Sequence, residues 1–199
     1  MARSRKITYN AKHAMITIVQ KGDPVLRKKA TEVPLADIGT PKINKILKDM
    51  AVALDSQDDG VAIAAPQIGV SLRIFLVSQA SVDMPDTMEE RSHLTNRKKL
   101  KHDAGNMTFI NPVITKLSKE TAILDEGCLS VRPLYGKIQR AKKASVKAYD
   151  ENGRLFERGA SGLLAQIFQH ETDHLEGVLF SDKATDVKEL PEHTEGLDV

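Results

Sequence analysis

Residues 163–175 constrain this chain more than any other stretch. Leu163, Leu164, Ile167, Phe168, His170 and Leu175 recur at helical spacing, and so little of the circumference is polar that the helix has to be buried on much of its surface. Such a helix cannot lie on an open face, so the rest of the chain must enclose it. Gly177 follows where a left-handed residue ends a helix. Upstream the period drops to two: Ile138, Val146 and Ala148 alternate with polar residues around a Glu151-Asn152-Gly153 turn, which predicts antiparallel strands over 136–156. Residues 73–78 and 109–115 read as further strands, the second interrupted by Pro112. Ile43, Ile46, Leu47, Met50 and Leu54 mark an amphipathic helix, with Thr40 as cap, Pro41 at the first helical position and an end near 58–60.

The chain has 199 residues, enough for one domain with its own core and no need of disulfides. Cys128 is the single cysteine, which excludes an intramolecular disulfide and agrees with a reducing compartment. No run approaches the roughly 18 apolar residues that span a bilayer, and the first residues lack the apolar stretch of a secretory signal, so no membrane association and a cytoplasmic location are expected. Arg3, Arg5, Lys6 and Lys12 occur there without an acid, a weak likeness to an organellar transit segment; residues 1–14 are read as a basic tail. A net charge of +2 gives no reason to expect DNA binding. The polar stretch at about 79–107 is read as a surface insertion, whose basic run 97–101 offers a surface to ribosomal RNA. The acid-rich residues 185–199 are read as a loose tail.

His170 and His174 stand four apart on the buried helix, about 6 Å along its axis, so both imidazoles can reach one cation. Glu171 projects beside them, where a carboxylate can take a proton from water and return it to a leaving group. Two histidines on a helix are ordinarily surface residues, but on a buried helix unpaired imidazoles would lack partners. A hydrolytic metal usually takes three protein ligands and keeps one open position. Cys128, in Glu126-Gly127-Cys128-Leu129-Ser130, is one candidate for the third, though a lone cysteine is more often a small core residue. Glu189, Glu192 and Glu195 are the other candidates and would make a thermolysin-like peptidase, against which stands the need of a ligand for a rigid support.

Three ordered stretches resemble the peptide deformylase family: residues 60–67 (Gly-Val-Ala-Ile-Ala-Ala-Pro-Gln), 126–130, and 169–174 (Gln-His-Glu-Thr-Asp-His), with 22–27 similar to the family's opening segment. The likeness spans about 15–183. It implies a domain over 15–184 with an α+β fold, antiparallel sheets packed around a central buried metal-binding helix. It further implies removal of the formyl group from N-formylmethionine on nascent peptides by a monomer. Cys128, His170 and His174 would bind one divalent ion, Fe2+ natively, with Zn2+, Ni2+ or Co2+ able to replace it. Glu171 would be general acid and base, and Gln67 with the Leu129 backbone N–H would stabilise the oxyanion. Val61, Leu129, Leu163 and Ile167 would line a methionine pocket, with Ala62 on a strand that pairs with the peptide. Glu126 and Arg140 match a supporting ion pair. The chain departs from the pattern at Ala62, where glycine is usual, at Arg132, expected near the cleft mouth, and at Gln166, expected at the pocket edge in place of an apolar residue.

Overall fold

The computed structural model describes residues 16–82 and 105–189. Residues 1–14, most of the expected insertion with its basic run, and Glu192 and Glu195 lie outside them.

The fold is α+β. Strands β1 (Ala62–Ala64), β2 (Ile74–Ser78), β3 (Asn106–Leu117), β6 (Lys143–Tyr149) and β7 (Leu155–Ser161) form an antiparallel sheet in the order β1-β2-β3-β6-β7. Strands β4 (Thr121–Gly127), β5 (Leu134–Ala141) and β8 (Thr185–Glu189) form a second sheet in the order β4-β5-β8. Helix α1 spans Pro41–Asp55 and helix α2 spans Gly162–Leu175.

The two helices bury opposite faces of the first sheet. Phe75, Val77, Phe109 and Val146 pack with Leu164 and Phe168 of α2, while Ile63, Ile74, Leu76 and Ile110 pack with Ile43, Met50 and Leu54 of α1. Phe75 and Phe109 stack at 4.5 Å, and Phe109 meets Phe168 edge-on at 5.2 Å. Burial on both faces explains why β2 reads as an unbroken apolar run rather than an alternation. A third, smaller cluster, including Leu26, Val131, Ile138, Leu179 and Phe180, lies against the second sheet.

Several boundaries differ from the sequence reading, each for a local reason. Thr40 makes no side-chain cap; its hydroxyl donates to Asp37 O at 2.6 Å, and α1 ends at Asp55. Strand β3 runs through Pro112 because a register shift between Ile110 and Val113 absorbs it, with Asn111 at φ 50. The Asn111 side chain then pairs with the Val33 backbone, donating to O and accepting from N at 2.8 Å each. Gln79–Ser81 is a short 3-10 turn and Asn106 and Met107 belong to β3, so the expected insertion is trimmed at both ends. Residues 185–189 are not loose. They form β8, opposite Lys137, Tyr135 and Leu134. All five are exposed, so no apolar period could announce the strand. Among the described residues no helix is long and apolar enough to cross a membrane.

Candidate metal centre

Helix α2 places His170 and His174 on one side of a turn, with ring centroids 4.9 Å apart. The helix stops because Gly177 sits at φ 76, where a Cβ would also lie 2.7 Å from Arg27 O. The turn after β4 brings Cys128 to the same place: its Sγ is 3.2 Å from His174 Nε2, and the three ligand atoms of Cys128, His170 and His174 all lie within 4.8 Å of one another. Ligand atoms bound at roughly 2.0–2.3 Å around one tetrahedral ion stand about 3.5 Å apart, so the cluster has the dimensions of a single metal site. Among the described residues it is the one such group found. Glu189, on exposed β8 opposite Leu134, takes no part in it.

The surroundings of His170 fix its chemistry. Its Nδ1 lies 2.6 Å from Glu126 Oε1. A carboxylate can only accept, so Nδ1 carries the proton and Nε2 is the nitrogen left to face an ion. Burial opposes a charged imidazole, but Glu126 and Cys128 outweigh it and raise the His170 pKa, so an ion has to displace the Nε2 proton. Glu126 and Arg140 are both 5% exposed, and Arg140 donates to the carboxylate through Nη2 at 2.7 Å and Nε at 3.1 Å. Burial would raise the Glu126 carboxyl, but His170 and Arg140 outweigh it and hold it far below its ordinary range. Arg140 Nη1 also donates to Asp173 Oδ2 at 2.7 Å, which ties β5 to α2.

Glu171 has the opposite environment. It is 3% exposed, its Oε2 has no protein partner, and burial pushes its carboxyl up to about 7. His174 Nδ1 is likewise buried without a partner, and burial with the neighbouring His170 lowers its pKa. The nitrogen of His174 that meets Cys128 is Nε2, so the partnerless atom nearest the proposed chemistry is Glu171 Oε2, and sulfur with two imidazoles is a donor set suited to zinc or ferrous iron.

Gln67 faces the cluster from the turn after β1. Its Oε1 accepts from Ala64 N–H at 2.8 Å, which aims the amide nitrogen at Ser130 Oγ (3.2 Å) and Cys128 Sγ (3.6 Å). Ser130, fully buried, gave no chemical signal in the sequence beyond its place in the 126–130 motif. The Leu129 carbonyl accepts from Gln20 Nε2 at 3.0 Å, a contact across 109 residues that no local pattern reveals.

Val61, Ala62, Leu163 and Ile167 fall in one apolar cluster beside the site, whereas the Leu129 side chain packs with the α1 cluster. Ala62 adopts no positive φ, so nothing in its backbone demands glycine. Arg132 is exposed and pairs with Asp59 at 2.5 Å. Gln166, expected at the pocket edge, is 6% exposed with its amide turned toward β4, donating to Asp125 O at 2.9 Å. A buried amide has to follow its hydrogen-bond partners, and one of these is Glu126, the carboxylate that also holds His170.

Comparison with known proteins agrees with this arrangement. The polypeptide deformylase family model matches residues 15–190. The peptide deformylase of Thermomicrobium roseum is 40% identical over 174 residues, covering 87% of this chain and 88% of that protein. The chloroplastic peptide deformylase 1A of Solanum lycopersicum is 36% identical over 172 residues, 86% of this chain, which spans only 60% of that relative's length. The peptide deformylase structure from Thermotoga maritima has a TM-score of 0.69 at 33% identity, covering 87% of this chain and 99% of that one. A class I type b peptide deformylase from Acinetobacter baumannii with Met-Ala-Ser bound has a TM-score of 0.71 at 27% identity, covering 85% and 98%. This chain belongs to the polypeptide deformylase family.

Proposed function

We propose that this protein hydrolyses the formyl amide of N-formylmethionine at the start of new polypeptides, releasing formate. The observation that carries the reading is the meeting of Cys128, His170 and His174 with a partnerless oxygen of buried Glu171 and the aimed amide of Gln67. Cys128, His170 and His174 would hold one divalent ion, Fe2+ in the native protein, with Zn2+, Ni2+ or Co2+ as substitutes. When bound, such an ion acts as a Lewis acid on a carbonyl oxygen and makes water a better nucleophile.

The chain's own groups supply the rest. Glu171, with its carboxyl raised to about 7, is able both to accept a proton from water at Oε2 and to return it to the departing amine near neutral pH. Gln67 Nε2 and the Leu129 backbone N–H donate to the formyl oxygen as negative charge develops there, each contributing roughly 3 kcal/mol. Val61, Leu163 and Ile167 take the methionine side chain, and Ala62 on β1, whose outer edge no described strand covers, offers backbone groups to the peptide. The partner is the nascent N-formylmethionyl chain, with residues 97–101 as the ribosome-facing run, and the enzyme acts as a monomer in the cytoplasm. Organellar delivery through residues 1–14 is the rival location, favoured by the plastid and mitochondrial names of the plant relatives.

Formate release from a short formyl-Met peptide tests the reading, with Cys128→Ala as control. The wild type should release formate and Cys128→Ala should lose nearly all of it. Cleavage at internal peptide bonds that survives in Cys128→Ala would mean a peptidase, and metal binding without formate would mean a silent binding protein.

A further inference from the structure

We infer that Gln166 is a positioning residue of the metal centre, its side-chain amide holding the carboxylate that orients His170. Gln166 lies one turn before His170 on α2, and its Nε2 donates to Glu126 Oε2 at 3.2 Å as well as to Asp125 O at 2.9 Å. Glu126 Oε1 is occupied by His170 Nδ1 and Arg140 Nη2, at 2.6 and 2.7 Å. Oε2 is held by Arg140 Nε at 3.1 Å and by Gln166. Without the amide, Oε2 keeps a single long bond, and the carboxylate is free to pivot about the oxygen that faces His170.

The second bond gives the amide its purpose. Asp125 O belongs to the backbone of β4, the strand that leads into Cys128, and Gln166 rides on the helix that carries both histidines. One side chain therefore couples the two elements that deliver the ligands, and both its N–H groups are spent on that coupling. An apolar side chain of the same length would fill the space but would leave Glu126 Oε2 and Asp125 O short of a donor inside the protein. Outer partners of this kind typically change metal affinity rather than the fold.

The inference rests on His170 being a metal ligand. Wild type, Gln166→Met and Gln166→Leu are loaded with Zn2+ and titrated with a competing chelator, while thermal unfolding of the metal-free proteins and KM for a formyl-Met peptide are followed in parallel. Zinc affinity should fall about tenfold in both variants, with the metal-free protein still folding cooperatively at a somewhat lower melting temperature and KM nearly unchanged. Zinc held as tightly as in wild type would overturn the inference while leaving the metal site intact. A raised KM with unchanged zinc affinity would return Gln166 to the substrate pocket. Failure of both variants to fold would assign the amide to the core. Absence of zinc binding by the wild type would overturn the His170 assignment and this inference together.

Discussion

Two buried glutamates beside the histidine pair are driven in opposite directions by their surroundings. Glu126 meets Arg140, His170 and Gln166 and stays ionised; Glu171 has an oxygen with no partner and is pushed up to about 7. Such divergence separates a structural carboxylate from one that moves protons. The same contrast sets the cost of disturbing each residue. Arg140→Met strands the Glu126 charge in the interior, and the metal-free protein should lose about 3–5 kcal/mol in urea unfolding; a loss below about 1 kcal/mol would show that the charge is solvated after all. On the proposed mechanism Gln67→Leu takes a donor from the reacting oxygen and should lower kcat about a hundredfold or more with little change in KM; a purely KM effect would place Gln67 in ground-state binding. The grouping of His170, Glu171 and His174 was legible because residue type and helical spacing carry it, whereas Cys128 stood beside the tail glutamates as one candidate ligand until the resemblance of the 126–130 motif singled it out. The direction of Gln166 was not, since a helix buried nearly all round has no polar face from which to assign it.

At the scale of elements, legibility followed periodicity. Helices α1 and α2 showed their apolar spacing, and β2 its compact apolar run. Strand β1 has three residues, too few to show a period, and β8 has Val187 as its one apolar residue and is held by backbone pairing with β5. The end of α2 was readable as a glycine, but not the reason that no other residue fits there. Gly177 combines φ 76 with the Arg27 carbonyl at 2.7 Å from the position of a Cβ, and the Leu175 carbonyl just before it accepts from Ala30 N–H at 2.9 Å. Gly177→Ala should therefore cost about 1–3 kcal/mol from φ alone, with the backbone clash added, and the helix end that carries His174 should shift. A drop in melting temperature together with weaker metal retention would bear this out; a variant of wild-type stability would contradict the required close approach.

Across the whole molecule, distant segments are fastened near the site by pairs that no local pattern announces. Arg73 Nη1 meets Glu176 Oε1 at 2.6 Å and Lys29 Nζ meets Glu176 Oε2 at 2.9 Å, joining the residue just before β2 and the segment around Lys29 to the end of α2. Burial would raise the Glu176 carboxyl, but hydrogen bonds from Lys29 and Arg73 outweigh it and lower its pKa. A carboxyl lowered on folding stabilises above its unfolded pKa and loses that contribution as pH falls through the folded one. Glu176→Gln should thus melt below wild type at pH 7, and the two curves should converge as the pH falls through the lowered Glu176 pKa; a gap independent of pH would mean that charge is not its origin. The meeting of Gln67, Cys128 and α2 is likewise a product of the fold, and it underlies the central claim that Glu171 moves the proton at a site held by Cys128, His170 and His174. The most direct measurement takes Glu171→Ala, compares its metal content with wild type, and follows formate release from a formyl-Met peptide. Full metal occupancy with nearly all turnover lost is the predicted result, and undiminished formate release by the metal-loaded variant would contradict it.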